Sequence, residues 1–247
     1  MTVLSSGATD IGRKRKTNQD SICVAPDLYF FAVADGMGGH NGGDIASQLS
    51  VKLMPEYIRS NKDLEPKVLL KNCIEHVCKE IYKKSEVSPE LKGMGTTVVS
   101  YMFKGSQIFI GNVGDSRTYL VSNNQLFQLT KDHSFVQEKL NMGLYNREQA
   151  ALDKQKNVLV RTVGFEPEVE VDVFSYKVCK NDLFFCCSDG LHGKVSDKDI
   201  LYIIQKYIPS PGIASKEDID TTVRALIQQA NDNGGQDNIS VVMAIAK

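Results

Sequence analysis

The chain has 247 residues and sets 29 Lys plus Arg against 30 Asp plus Glu, a formal charge of −1. That balance argues against nucleic acid or an anionic membrane surface as the main partner. No apolar stretch approaches the ~20 residues of a membrane span, and residues 1–10 lack the apolar centre of a secretory signal. The six cysteines show no C-x-x-C spacing, which reads as free, buried thiols of a reducing cytosol. No linker or charge block divides the chain, so a single domain over 1–247, monomeric and cytoplasmic, is expected.

Taken in order, the basic run Arg13-Lys14-Arg15-Lys16 comes first, of which Arg13, Lys14 and Lys16 read as a solvated loop. Residues 28–33 form an apolar strand that ends in Ala34-Asp35-Gly36. From Gly43, the spacing of Ile45, Leu49, Leu53 and Tyr57 predicts an amphipathic helix. Leu70, Cys73, Ile74, Val77, Cys78 and Ile81 predict a second one by the same logic. Four strands follow at 97–103, 107–113, 117–121 and 125–129. Their connections are too short to cross a sheet, so all four are expected to pair antiparallel. A helix is expected from Ser134, then a looser polar segment to about Asn157. Strands at 169–175 and 183–187, helices at 196–207 and 219–231, and a last strand at 239–246 complete the pattern. The expected class is α+β, a sandwich of two antiparallel sheets flanked by helices on both sides.

Five aspartates stand at strand ends: Asp20, Asp35, Asp115, Asp189 and Asp237. One such residue is ordinary turn chemistry. Five converging carboxylates would require cations, and oxygen-only ligands select Mg²⁺ or Mn²⁺ over zinc. The four histidines, His40, His76, His133 and His192, show no zinc-ligand spacing.

Seven segments occur in an order that resembles the metal-dependent protein phosphatases of the protein phosphatase 2C-like family, compact bacterial type. They are Gly12 to Asp20, Ala34-Asp35-Gly36-Met37-Gly38-Gly39-His40, Gly95-Thr96-Thr97, Gly111 to Arg117, Leu129 to Ser134, Cys187-Ser188-Asp189-Gly190-Leu191 and Gly234 to Ile239. The resemblance implies hydrolysis of phosphoserine or phosphothreonine in protein substrates, opposing a serine/threonine kinase. It implies that water held between two Mn²⁺ or Mg²⁺ ions attacks phosphorus in line, without a covalent intermediate. Asp35 would bridge the cations, the Gly36 carbonyl completing one site and Asp189 with Asp237 holding the other. Asp20 would act through water, and Asp115 with Asp189 would take a weaker third ion. Arg15 would grip the phosphate. Met37 stands where many relatives carry a histidine, which leaves His40 as a candidate substrate contact. Segment 134–160 corresponds to the family's flap, without the His-Pro often found in it.

Asn41 breaks the G-x-G-x-x-G pattern that a dinucleotide site would need. No cysteine is followed six residues later by the arginine of a cysteine phosphatase. Asp218-Ile219-Asp220-Thr221-Thr222 has the D-x-D-x-T spacing of aspartate-nucleophile phosphatases but reads as the acidic first turn of a helix. A non-catalytic phosphoprotein-binding or regulatory domain that kept the fold is the standing alternative.

Overall fold

The computed structural model describes residues 2–38 and 42–247. One sheet runs in the order β1 (Val3–Asp10), β11 (Ile239–Ala246), β10 (Leu183–Cys187), β7 (Arg117–Ser122) and β8 (Gln125–Gln128). The other runs β2 (Asp20–Ala25), β3 (Phe30–Met37), β5 (Val98–Lys104), β6 (Gln107–Val113) and β9 (Asp172–Lys177), with the short β4 (Gly95–Thr96) on β3. All neighbouring strands are antiparallel. The class is α+β, as the sequence predicts.

The apolar runs are uninterrupted because each central strand is buried on both faces. Phe31 and Val33 of β3 meet Phe184 and Cys186 of β10 in the layer between the sheets. Phe30, Ala32 and Ala34 of β3 face the opposite way, onto helices α1 (Gly43–Ser60) and α2 (Pro66–Val87). Leu183, Phe185 and Cys187 likewise face α6 (Asp197–Tyr207) and α7 (Lys216–Asp232). The period of two in side-chain direction thus feeds three packed layers from two sheets.

Several expectations need correction. Strands β6 and β7 do not pair; the 114–116 turn carries the chain from one sheet to the other. Gly114 makes that corner with φ of +107°, and a Cβ there would lie 2.6 Å from the Thr97 Cβ. Strand β1 carried no clear signal, and β9 begins at Asp172 rather than 169. The segment from Ser134 holds α3 (Phe135–Asn141) and then α4 (Arg147–Leu152), where a looser stretch is expected; a reciprocal Asn146–Gln149 capping box starts α4. Cys179 is exposed, while the other five thiols are free and buried. Asp218 does sit in the first turn of α7, closing a capping box with Ser215. No helix among the described residues is long and apolar enough to cross a membrane.

Candidate active site

Strand pairing places Asp20, the first residue of β2, directly opposite Asp35 on β3. Asp189 opens the short helix α5 (Asp189–His192) just after β10, and Asp237 lies two residues before β11. Because β10 and β11 are neighbours, the carboxylates of both sheets meet at one end of the sandwich. Arg15, Asp35, Gly36, Asp115, Asp189 and Asp237 all line one cleft of about 290 Å³, together with Met37 and Asn157. Asp20 lies buried beneath them, 6 % exposed. His40 lies outside the described residues.

The electrostatics of this cluster are those of charges gathered without enough compensation. Burial first, then the neighbouring carboxylates Asp20, Asp189, Asp115 and Asp237, push Asp35 well above the usual carboxylate range. Burial and then Asp189 raise Asp115 to about 8. Burial and Asp237 raise Asp189 to about 6. Asp20 also reaches about 6, chiefly through burial and in spite of two hydroxyl donors. Those donors are Ser188 and Ser240, whose Oγ atoms both lie 2.7 Å from Asp20 Oδ2.

The other oxygens fit a hard cation. Asp20 Oδ1 and Asp189 Oδ1 are buried without a hydrogen-bond partner, a costly state for a carboxylate unless an ion or water satisfies it. Among the described residues no three His, Cys, Asp or Glu side chains form a ready-made group for one ion. Mg²⁺ does not require such a cage: it keeps several waters and takes one or two carboxylates.

The positive group of the cleft is Arg15, whose Nη2 donates to Asp237 Oδ2 at 2.6 Å. That contact first, and then the charges of Asp237, Asp35 and Asp189, hold its pKa above the ordinary value against the effect of burial. Its loop is stapled by Asn238, a residue of the Gly234 to Ile239 segment to which the sequence pattern assigns no role. Asn238 Oδ1 accepts from the Gln19 N–H at 2.8 Å, and its Nδ2 donates to the carbonyls of Ile11 (2.9 Å) and Thr17 (3.0 Å). With three bonds at a site 4 % exposed, Asn238→Ala is expected to lower stability by about 2–3 kcal/mol at roughly 1 kcal/mol per bond. Urea denaturation would measure the change; a shift under about 0.5 kcal/mol, the range of ordinary surface substitutions, would contradict the staple.

Thr96 and Thr97 support Asp35 from the other side. Thr96 Oγ1 and the Thr97 N–H both donate to the Asp35 carbonyl, at 2.9 and 2.8 Å, and Thr97 Oγ1 accepts the Asp35 N–H at 3.1 Å. Like Ser188 and Ser240, they act on partners far away in sequence; the Thr-Thr pair and Ser188 stand in the motifs of the sequence, but nothing there assigns them a partner.

The fold and the carboxylate cleft define a class, and comparison with known proteins assigns it. The model of the protein phosphatase 2C family matches residues 9–240. The chain belongs to this family of metal-dependent serine/threonine phosphatases. It is 39 % identical over 242 residues to the serine/threonine phosphatase stp of Listeria monocytogenes, spanning 95 % of this chain and 92 % of that protein. The crystal structure of the Mycobacterium tuberculosis serine/threonine phosphatase PstP/Ppp superposes with a TM-score of 0.90 at 31 % identity, covering 100 % of both chains. The catalytic domain of PstP in complex with two manganese ions gives 0.86 at 30 % identity, over 99 % of each chain.

Proposed function

We propose that the aspartate cleft is the catalytic centre for hydrolysis of phosphoserine and phosphothreonine in proteins, with Asp35, Asp189, Asp237 and Arg15 as its catalytic residues. The observation that carries this is a pair of unpartnered buried oxygens, Asp189 Oδ1 on a residue that lines the cleft with Arg15 and Asp20 Oδ1 buried beneath it. Bound there, two Mn²⁺ or Mg²⁺ ions, such as the two manganese ions of the PstP complex, would lower the pKa of a water and neutralise phosphoryl charge. Asp35 and the Gly36 carbonyl would hold the cations with Asp189 and Asp237, while Asp115 with Asp189 would take a weaker third ion. Asp20 would act through water, its second oxygen fixed by Ser188 and Ser240.

Arg15 offers a planar fork of donors to the phosphoryl oxygens, which orients the phosphorus for in-line attack. Met37 lines the cleft, and its thioether has no proton to give, so the leaving serine oxygen takes its proton from another donor. The unit spans 1–247, with segment 134–160 as a flap over the site; Asn157 and Leu159 of that segment line the cleft. The chain acts as a cytoplasmic monomer on phosphoproteins made by a serine/threonine kinase, a setting that its free thiols and near-neutral charge suit.

The test is turnover of a phosphothreonine peptide by the purified chain with EDTA, Mg²⁺ or Mn²⁺, alongside Asp189→Asn. Activity should require the cation and fall by about 10²–10³-fold in the variant, the scale of losing one preorganised charge-stabilising group. Folded protein that binds the peptide but never turns it over would support the phosphoprotein-binding alternative instead.

A further inference from the structure

Two histidines that the proposed chemistry does not use both grip the Gly114–Asp115 corner between the sheets. His133, 7 % exposed, holds Gly114 twice: its backbone N–H donates to the Gly114 carbonyl at 2.9 Å, and its Nδ1 accepts the Gly114 N–H at 3.1 Å. An amide N–H can only donate, so Nδ1 carries no proton and the ring hydrogen sits on Nε2. Nε2 in turn faces Asp172 Oδ2 at 3.2 Å, and Arg161 Nη1 fixes the other Asp172 oxygen at 2.9 Å. From the other side, His192 Nε2 lies 3.1 Å from the Asp115 carbonyl oxygen, which requires the proton on that nitrogen. His192 is the last residue of the helical turn that Asp189 begins.

The consequence is positional. The corner that aims Asp115 is bound through its carbonyl to the turn that bears Asp189. Through its amide it is bound to His133, whose own carbonyl accepts the Val160 N–H at 2.9 Å. Leu159, next in the chain, lines the cleft. We infer that His133 and His192 are positioning residues that clamp the Gly114–Asp115 corner, hold the Asp115 carboxylate against Asp189 for the weakly bound third cation, and tie that site to the 157–160 end of the flap segment. This rests on the proposed reading in which Asp115 and Asp189 share that ion.

The experiment is a Mn²⁺ titration by calorimetry, with bound ions counted by electron paramagnetic resonance, on the full chain after EDTA treatment and dialysis. The wild type should bind two ions tightly and one weakly. Asp115→Asn should lose only the weak ion. His133→Ala and His192→Ala should weaken that ion about tenfold, the low end for residues that orient metal ligands, and leave the tight pair unchanged. His133→Asn should recover most of the affinity, because its Oδ1 can replace Nδ1 as acceptor for the Gly114 N–H.

Unchanged weak affinity in His133→Ala, equal weakening of all three ions, or no recovery in His133→Asn would each overturn the clamp. A weak ion that persists in Asp115→Asn would also overturn it, yet leave the two-cation reading standing; a wild type that binds no Mn²⁺ would sink that reading itself. If His133→Ala does not fold, Asp172→Ala carries the test: it frees the ring to place a proton on Nδ1, donor against donor at Gly114. Several-fold weakening of the third ion alone is then expected, and an unchanged affinity refutes the proposal.

Discussion

Asp35→Asn is expected to abolish turnover and, in protein stripped of divalent cations, to raise the melting temperature. The two effects have one cause. Asp35 stands across from Asp20 in the strand register and feels the charges of Asp189, Asp115 and Asp237 as well. Asparagine keeps the shape and removes the charge. Even a paired buried charge can often be replaced by neutral side chains of similar volume with no loss or with a gain of about 1–4 kcal/mol, and Asp35 is repelled by four other carboxylates. At about 2–4 °C per kcal/mol for a chain of this length, even the low half of that range gives a rise of several degrees.

The pH dependence follows from the raised carboxyls. Their folded pKa values exceed the ~3.9 of a free aspartate, so the folded state holds protons that the unfolded state has released. The stabilisation this gives is complete below about pH 4. It is lost as pH rises through about 6 for Asp20 and Asp189 and through about 8 for Asp115. Cation-free wild type should therefore melt higher at pH 6 than at pH 8, and Asp35→Asn should flatten that slope.

Added Mn²⁺ should reverse the ranking. Ligand present at a hundred times its Kd adds about 2.7 kcal/mol to a protein that binds it, and the variant forfeits this. A scan of melting temperature against pH, with and without Mn²⁺, checks all three statements. A variant that melts no higher than wild type without cations would refute the buried-charge account, and one that still turns over would remove Asp35 from the chemistry.

What could be read in the sequence was whatever is written locally. The β3, β10 and β11 strands appear as apolar runs because both their faces are buried, and the aspartates at their ends show as breaks in those runs. The α1 and α2 helices show through their four-residue spacing. Strand β1 stayed hidden because it is built from small and polar residues, with Gly7 set against Val24 and Val242, so it lacks the alternation that marks a strand. The change of sheet at Gly114 could not be told from a hairpin, since both use a short glycine turn. The groups that hold the candidate site were the least legible. Ser188 and Ser240 meet Asp20 across separations of 168 and 220 residues, and nothing in local pattern or propensity encodes such a meeting.

Gly190→Ala should unfold or severely weaken the protein, although helix propensity alone argues the reverse. Gly190 is the second residue of the α5 turn, where alanine would ordinarily be favoured by about 1 kcal/mol. Its added Cβ, however, would lie 1.9 Å from the Asn238 carbonyl oxygen and 2.9 Å from the carbonyl carbon. Both are backbone atoms, so no rotamer change relieves the contact. The turn bearing Asp189 and the strand entry bearing Asp237 would have to part, with the Asn238 staple between them. Overpacking typically costs about 1–3 kcal/mol and more where the neighbour cannot yield, so the clash outweighs the propensity gain. Gly36→Ala meets the same obstacle, 1.9 Å from the Gly43 carbonyl oxygen and 2.6 Å from that of Gln19. Gly105→Ala is the control: its Cβ meets nothing within 4 Å, and only a φ of +61° opposes it, a penalty of about 1–2 kcal/mol. Denaturation midpoints of the three variants would separate steric closure from backbone strain. A Gly190→Ala protein as stable as Gly105→Ala would mean that the Asp189 turn does not pack against Asn238 this closely, and the close approach of Asp189 to Asp237 would lose its structural basis.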